Sequence, residues 1–416
     1  MITLRHAVAI YVSSVLGAGI FVVPGLAARL AGPASIVSWV LLSLASYPFA
    51  YTFARLSARK PESGGIYAFA REGFGLGASS AVAWLFVAWN VLGAPAATVA
   101  AASYLAFVFP MTRLDAYVVA GGILLAGFAV NYMGIRLSGR VQLATVAAIV
   151  AALVIAVAAA TPRITFADYT PFLPEGVASI GTAAALIVWS YLGYENTSNV
   201  AEEFRNPERD FRRSVLISVV LISGLYLAVA LVTIGTGAYL VGTGATPFAA
   251  IMADAFGRYG GAVVAFLAVF VTFGTVNAYT AGMARVYYAA ARDGVFPRAL
   301  AIVEPRTGAP RRSLLFLIAL DLSGLVAFYA FNVDIESAFL MTSGAAILAY
   351  IIGSAAGIRL LAERGMRRAL PWISLLVSLA LLPFIGTLML ASVAIAGLGL
   401  LFSGLAQRRR TPESAS

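Results

Sequence analysis

The chain has 416 residues, of which 61% are hydrophobic and 11% charged, with a formal net charge of +10 and a mean hydropathy of +0.91. A soluble globular domain, with a charged fraction of about 25%, is excluded by such a composition. The chain has no cysteine, which also excludes disulfides, thiol catalysis and cysteine metal sites.

A membrane-crossing helix needs about 20 apolar residues, and runs of that kind recur from end to end. Twelve are read in chain order, at about 6–31, 34–55, 77–109, 115–133, 141–161, 178–200, 213–237, 255–291, 313–331, 335–360, 369–383 and 387–406. Only a turn near Pro383 and Gly386 separates the last two. The runs predict an all-α integral membrane protein with 12 transmembrane helices and no long soluble domain. One domain is expected over 1–410, with a disordered tail at 411–416. The first run lacks an A-x-A exit and is one of many, so it does not read as a cleaved signal peptide.

Placing the N-terminus in the cytoplasm leaves only Arg29, Arg113, Arg163 and Arg258, of 28 basic residues, on the outer side. That bias predicts both termini inside and a multi-pass protein of the cell membrane. The short basic loops read as topology signals and contacts to anionic lipid, so the positive charge requires no nucleic-acid partner. His6, the single histidine, precedes the first run and reads as an interfacial residue, because one imidazole makes no metal site.

Residues 14–25 read SVLGAGIFVVPG. Gly17, Gly19, Pro24 and Gly25 interrupt a spanning run, although a glycine costs a helix interior about 1 kcal/mol and a proline about 3 kcal/mol. A second interruption, IVWSYLGYENTSNV at 187–200, clusters polar residues in the sixth run. Breaks at matching places in two halves point to a transporter built from inverted repeats with a midplane site. Irregular backbone at that depth is tolerated where it lines a cavity or is buried in protein. Close helix packing through small residues is the competing reading of an isolated G-x-G.

The sequence also resembles a known family. GAGIF at 17–21 and WSYLGYE at 189–195 are similar to the first- and sixth-helix signatures of the amino acid–polyamine–organocation superfamily. KPESGGIYAFARE at 60–72, AEEFRNPERDFRRS at 201–214 and ARVYYAAARDGVFPRAL at 284–300 resemble its loop motifs in order. The resemblance implies a five-plus-five inverted-repeat (LeuT-like) fold, with repeats at about 6–161 and 178–361 and extra helices at about 369–406. Within the superfamily the chain looks most like bacterial exporters of methionine and branched-chain amino acids, while WSYLGYE is also similar to the run of arginine–agmatine antiporters. A secondary transporter is implied, monomeric or homodimeric, and no enzyme: no H-E-x-x-H, G-x-S-x-G or Walker motif appears. A channel remains the other alternative.

An amino acid substrate carries a carboxylate and an ammonium. Orphan amides at a helix N-terminus suit the carboxylate, and the resemblance assigns them to Gly17, Ala18 and Gly19, with Ser14 adding a hydroxyl. Carbonyls at Trp189, Ser190 and Leu192 suit the ammonium. Trp189, Asn90 and Tyr279 match pocket-lining positions. Glu195, Glu202 and Arg292 are expected in coupling or gating, the last two within a set of loop ion pairs that includes Asp293. Asp321, with no motif around it, reads as structural. No cofactor or metal is expected. The only lysine is Lys60, so the fifth-helix lysine that replaces sodium in some relatives is missing, and a proton or a sodium ion stays open as the coupling ion. Thr272, Thr275 and Thr280 offer hydroxyls to sodium, although threonines in spans usually bond their own backbone. Apolar walls without a second carboxylate favour a small neutral, mainly apolar amino acid, exported or exchanged, with arginine or a polyamine as the alternative.

Overall fold

The computed structural model describes residues 8, 11–12, 15–59, 64–134, 139–195, 207–305 and 308–408. Ser14, the whole segment 196–206 with Glu202, and the tail at 411–416 lie outside the described residues. Helices dominate, joined by short 3₁₀ turns, and no β-strand occurs among the described residues. In chain order they are α1 (Gly19–Ala31), α2 (Ser35–Arg59), α3 (Ile66–Phe74), α4 (Leu76–Val108), α5 (Arg113–Tyr132), α6 (Gly139–Ala160) and α7 (Val177–Ile187). They continue with α8 (Pro207–Gly235), α9 (Pro247–Arg292), α10 (Arg311–Ala330), α11 (Ile335–Leu360), α12 (Ala369–Leu381) and α13 (Met389–Arg408).

Nine helical stretches among the described residues are long and apolar enough to cross a membrane, against twelve runs in the sequence. The difference has a structural reason. One stretch, Gly19–Arg59, holds two helices joined by a 3₁₀ turn at Gly32–Ala34, and another, Gly365–Leu401, holds α12 and most of α13. Among the described residues the apolar helix of the sixth run covers Val177–Tyr191, too short to qualify, because the chain leaves the helix at Leu192. Exposed leucines, valines and phenylalanines, such as Leu44, Val118, Val220, Phe266 and Leu401, cover the outside of the bundle, as lipid-facing surfaces require.

The 33-residue α4 is the central post and packs against α3, α5, α9, α10, α11 and α13. It carries Pro95, which cannot donate to the carbonyl of Val91. Gly324 of α10 fills that gap: a Cβ there would come within 2.0 Å of the Val91 oxygen. Only a glycine allows α10 to lie that close to α4. On the other side α1, almost wholly buried, is wrapped by α7, α8 and α9.

Candidate binding cavity

The helical ladder of the first run stops before α1. Leu16 N–H still donates to Val12 at 2.8 Å, but Gly17 N–H turns back to Val15 at 2.8 Å. α1 restarts at Gly19 with no side-chain cap on Ala18, and the Gly19 N–H has no backbone acceptor among the described residues. This is the uncapped, positive end of a helix. The sixth run ends in the same manner: α7 tightens into a 3₁₀ turn at Val188–Tyr191, and Leu192 is extended.

One side chain joins the two breaks. Tyr226 of α8, fully buried, places its hydroxyl 2.7 Å from the Ser190 carbonyl and 3.2 Å from the Val15 carbonyl. The breaks also touch directly: a Cβ on Gly19 would sit 2.8 Å from Trp189 Cδ1 and 3.1 Å from Ser190 Oγ. Ser190 Oγ is itself buried without a hydrogen-bond partner among the described residues.

Between them lies a cavity of about 50 Å³, well above the roughly 10–15 Å³ that one water needs. The first break lines it with Gly17, Ala18 and Gly19, the sixth-run break with Trp189, Ser190 and Leu192, α4 with Asn90 and α9 with Tyr279. Every sequence-predicted binding residue within the described chain therefore meets in one place, although 262 positions separate Gly17 from Tyr279 (279 − 17). Trp189 packs edge-on against Phe339, centroids 4.7 Å apart. Thr275 and Thr280 also line the cavity, and Thr275 Oγ1 bonds the Val271 carbonyl of its own helix at 3.0 Å.

Sequence reasoning missed Trp89 and Met283, which line the same space. Trp89 stands 6.3 Å from Tyr279, centroid to centroid. An aromatic or methionine inside an apolar helix leaves no mark in the sequence that separates wall from packing. Tyr226 was missed for the same reason. No charged side chain lines the cavity among the described residues.

The expected gating residues lie elsewhere. Glu195 is buried and off the cavity wall; its Oε2 accepts from Gly193 N–H at 3.0 Å and from the Tyr350 hydroxyl at 2.5 Å. Arg292, at the end of α9, is exposed and makes no ion pair among the described residues. Its neighbour Asp293 does: Arg71 Nη1 and the Tyr67 hydroxyl reach one carboxylate oxygen at 2.7 and 2.8 Å. The motifs at 60–72 and 284–300 thus meet in an ion pair. Asn90, buried at the cavity edge, donates Nδ2 to the carboxylate of Asp321 on α10.

A bundle of apolar, span-length helices around an uncharged, solute-sized cavity defines a polytopic membrane protein with an internal binding space. The chain belongs to the amino acid permease family of the amino acid–polyamine–organocation superfamily, whose family model matches residues 2–406. It is 31% identical over 363 residues to an uncharacterized amino acid permease, YecA, of Bacillus subtilis, covering 87% of this chain and 86% of that one. It is 28% identical over 417 residues to the L-methionine/branched-chain amino acid exporter YjeH of Escherichia coli, covering 99% and 97%. It is also 28% identical over 328 residues to the chloroplastic cationic amino acid transporter 9 of Arabidopsis thaliana, covering 71% and 55%. Family and relatives are transporters rather than enzymes.

Proposed function

We propose that the protein is a secondary transporter of small neutral, mainly apolar amino acids, working by alternating access in efflux or exchange. The carrying observation is the cavity itself. Two helix breaks supply backbone groups for an α-carboxylate and an α-ammonium, and the remaining wall is apolar and aromatic, with no charged side chain among the described lining. A zwitterion brings no net charge, so it calls for no ion partner in low dielectric, whereas a cationic or anionic side chain does. The likeness to the YjeH exporter supports the same substrate class.

In this reading the Gly19 amide, with those of Gly17 and Ala18, receives the carboxylate, and Ser190 Oγ and Asn90 turn toward the ammonium. The Ser190 carbonyl keeps a second lone pair beside the one Tyr226 occupies. Trp189, Trp89, Tyr279 and Met283 enclose the side chain. We read the chain as twelve crossings in a five-plus-five inverted repeat with two added helices, both termini cytoplasmic. The support is the pairing of the first and sixth interruptions across one cavity and the bias of basic residues toward one side.

The three aromatic rings favour one competing reading, since they are able to stack on a guanidinium. Competition against radiolabelled leucine exchange in proteoliposomes separates the two. Methionine, valine and isoleucine are expected to inhibit. Strong inhibition by arginine or putrescine, with none by methionine or valine, overturns the neutral assignment.

A further inference from the structure

A buried carboxyl next to the cavity has no part in the scheme above. Asp321 is 1% exposed, in the middle of α10, and its partner is the Asn90 amide that borders the cavity. The placement follows from the contact between α4 and α10. Pro95 frees the Val91 carbonyl, Gly324 closes onto it, and Asp321 lies three residues before Gly324 on the same helix face, opposite Asn90. The pair is thus fixed where the two helices are nearest.

The surroundings hold no opposite charge. On α4, residues 83–97 contain no ionisable side chain, and neither do residues 118–130 of α5. α9 offers the buried Tyr287, whose hydroxyl donates to the Phe86 carbonyl at 3.3 Å, and Arg285, which is exposed. The 3₁₀ turn Arg298–Leu300 brings Arg298, also exposed. On α10 itself the next ionisable residues are Arg312 and Tyr329, toward its two ends. No ion pair engages Asp321 among the described residues. An intramembrane carboxyl of this kind exchanges its proton when the charge near it changes.

We propose that Asp321 is a proton-binding positioning residue that sets which end of the Asn90 amide the substrate meets. This rests on the amino acid reading above. The structure has the Asn90 amide with Nδ2–H toward Asp321; an ionised carboxylate, which only accepts hydrogen bonds, holds it in that orientation and leaves Oδ1 of Asn90 for the cavity. Oδ1 is an acceptor for the substrate's ammonium. A protonated Asp321 has an O–H to donate. It takes Oδ1 of Asn90 instead, the amide turns over, and two N–H donors face the ammonium. Substrate and proton therefore oppose each other. When the ammonium binds, the Asp321 proton leaves for water on whichever side the cavity is open. When a proton binds, the ammonium is released. Linkage makes the coupling reciprocal, and one proton displaced per substrate is the stoichiometry of an antiporter.

The test is leucine exchange by the purified protein in proteoliposomes, with half-saturation measured across a pH series. In the wild type, affinity is expected to fall on acidification by up to about tenfold per pH unit, the limit for one proton excluded per substrate. Asp321→Asn, which holds no exchangeable proton, is expected to exchange leucine with an affinity that does not change with pH, and to lose leucine accumulation driven by a proton gradient. Glu195→Gln, tested in parallel, is expected to keep the wild-type pH profile of affinity. Should Asp321→Asn not give a monodisperse protein, Asn90→Ala decides, because it disconnects Asp321 from the cavity and must flatten the same profile while weakening binding. A wild-type pH profile in either variant, or its loss in Glu195→Gln alone, overturns the proposal. If wild-type protein exchanges no neutral amino acid, the substrate assignment fails by itself. The pH series is then run with whichever amino acid does exchange, since every one carries the α-ammonium.

Discussion

At the residue scale, Gly19 has two duties. It opens α1 without a cap, and it lets the indole of Trp189 lie against the backbone. A side chain there meets Trp189 Cδ1 at 2.8 Å with its first carbon, and a leucine projects three more into the space assigned to the carboxylate. Overpacking costs about 1–3 kcal/mol, too little to unfold a bundle of this size but enough to displace Trp189. Gly19→Leu is therefore expected to abolish exchange while the protein elutes as a single species in size exclusion. Wild-type exchange by such a protein removes the carboxylate from this end of α1.

At the element scale, the two interrupted helices depend on a third. Tyr226 of α8 holds carbonyls from both breaks. The Val15 carbonyl also accepts from Gly17 N–H, whereas no backbone N–H reaches the Ser190 carbonyl among the described residues. A buried acceptor left unsatisfied costs about 1–3 kcal/mol. Tyr226→Phe is expected to lower the melting temperature and to reduce exchange, because the breaks lose their common brace. An unchanged melting curve shows that another donor replaces the hydroxyl. These elements also show what a sequence discloses. The breaks were legible because each violates a rule: glycines and polar residues in mid-span are costly, so they stand out against an apolar run. Gly17, Gly19 and Ser190 were found in that way, whereas Trp189 came from the resemblance to the family's pocket-lining positions. Tyr226, Trp89 and Met283 break no rule. A tyrosine, tryptophan or methionine is equally at home in packing and in a binding wall, and only the fold brings Tyr226 to Ser190 from 36 positions away. Asp321 was visible as a charge in a span, but its use was not, since its partner Asn90 lies 231 positions away. The spans were legible as apolar runs. Their division was less so, because short helices joined by 3₁₀ turns form continuous stretches at Gly19–Arg59 and Gly365–Leu401.

At the scale of the whole molecule, alternating access requires that helix ends closed together in one state part in another. The Asp293 cluster is placed for that. Arg71 and Tyr67 on α3 share one oxygen of Asp293, directly beyond the end of α9, the helix that brings Tyr279 and Thr275 to the cavity. Burial, then the hydrogen bond to Asp293, pushes the Tyr67 phenol well above its usual range, so it remains a donor at any pH at which the protein works. The Arg71 side chain is half exposed, 49%, while that of Asp293 is 7% exposed. The pair is screened on one side only, and its worth is about 1 kcal/mol, at the upper end for surface pairs. Removing it shifts a two-state equilibrium by about fivefold. Asp293→Ala is therefore expected to speed amide hydrogen exchange in α3 about fivefold and to alter the exchange rate of leucine without changing which amino acids compete. In the proposed reading substrate choice is set in the cavity, and the ion pair sets how long this end stays shut. Unaltered protection in α3, measured by hydrogen–deuterium exchange on the reconstituted protein, makes the cluster a static brace; a changed competition profile ties it to the binding wall instead.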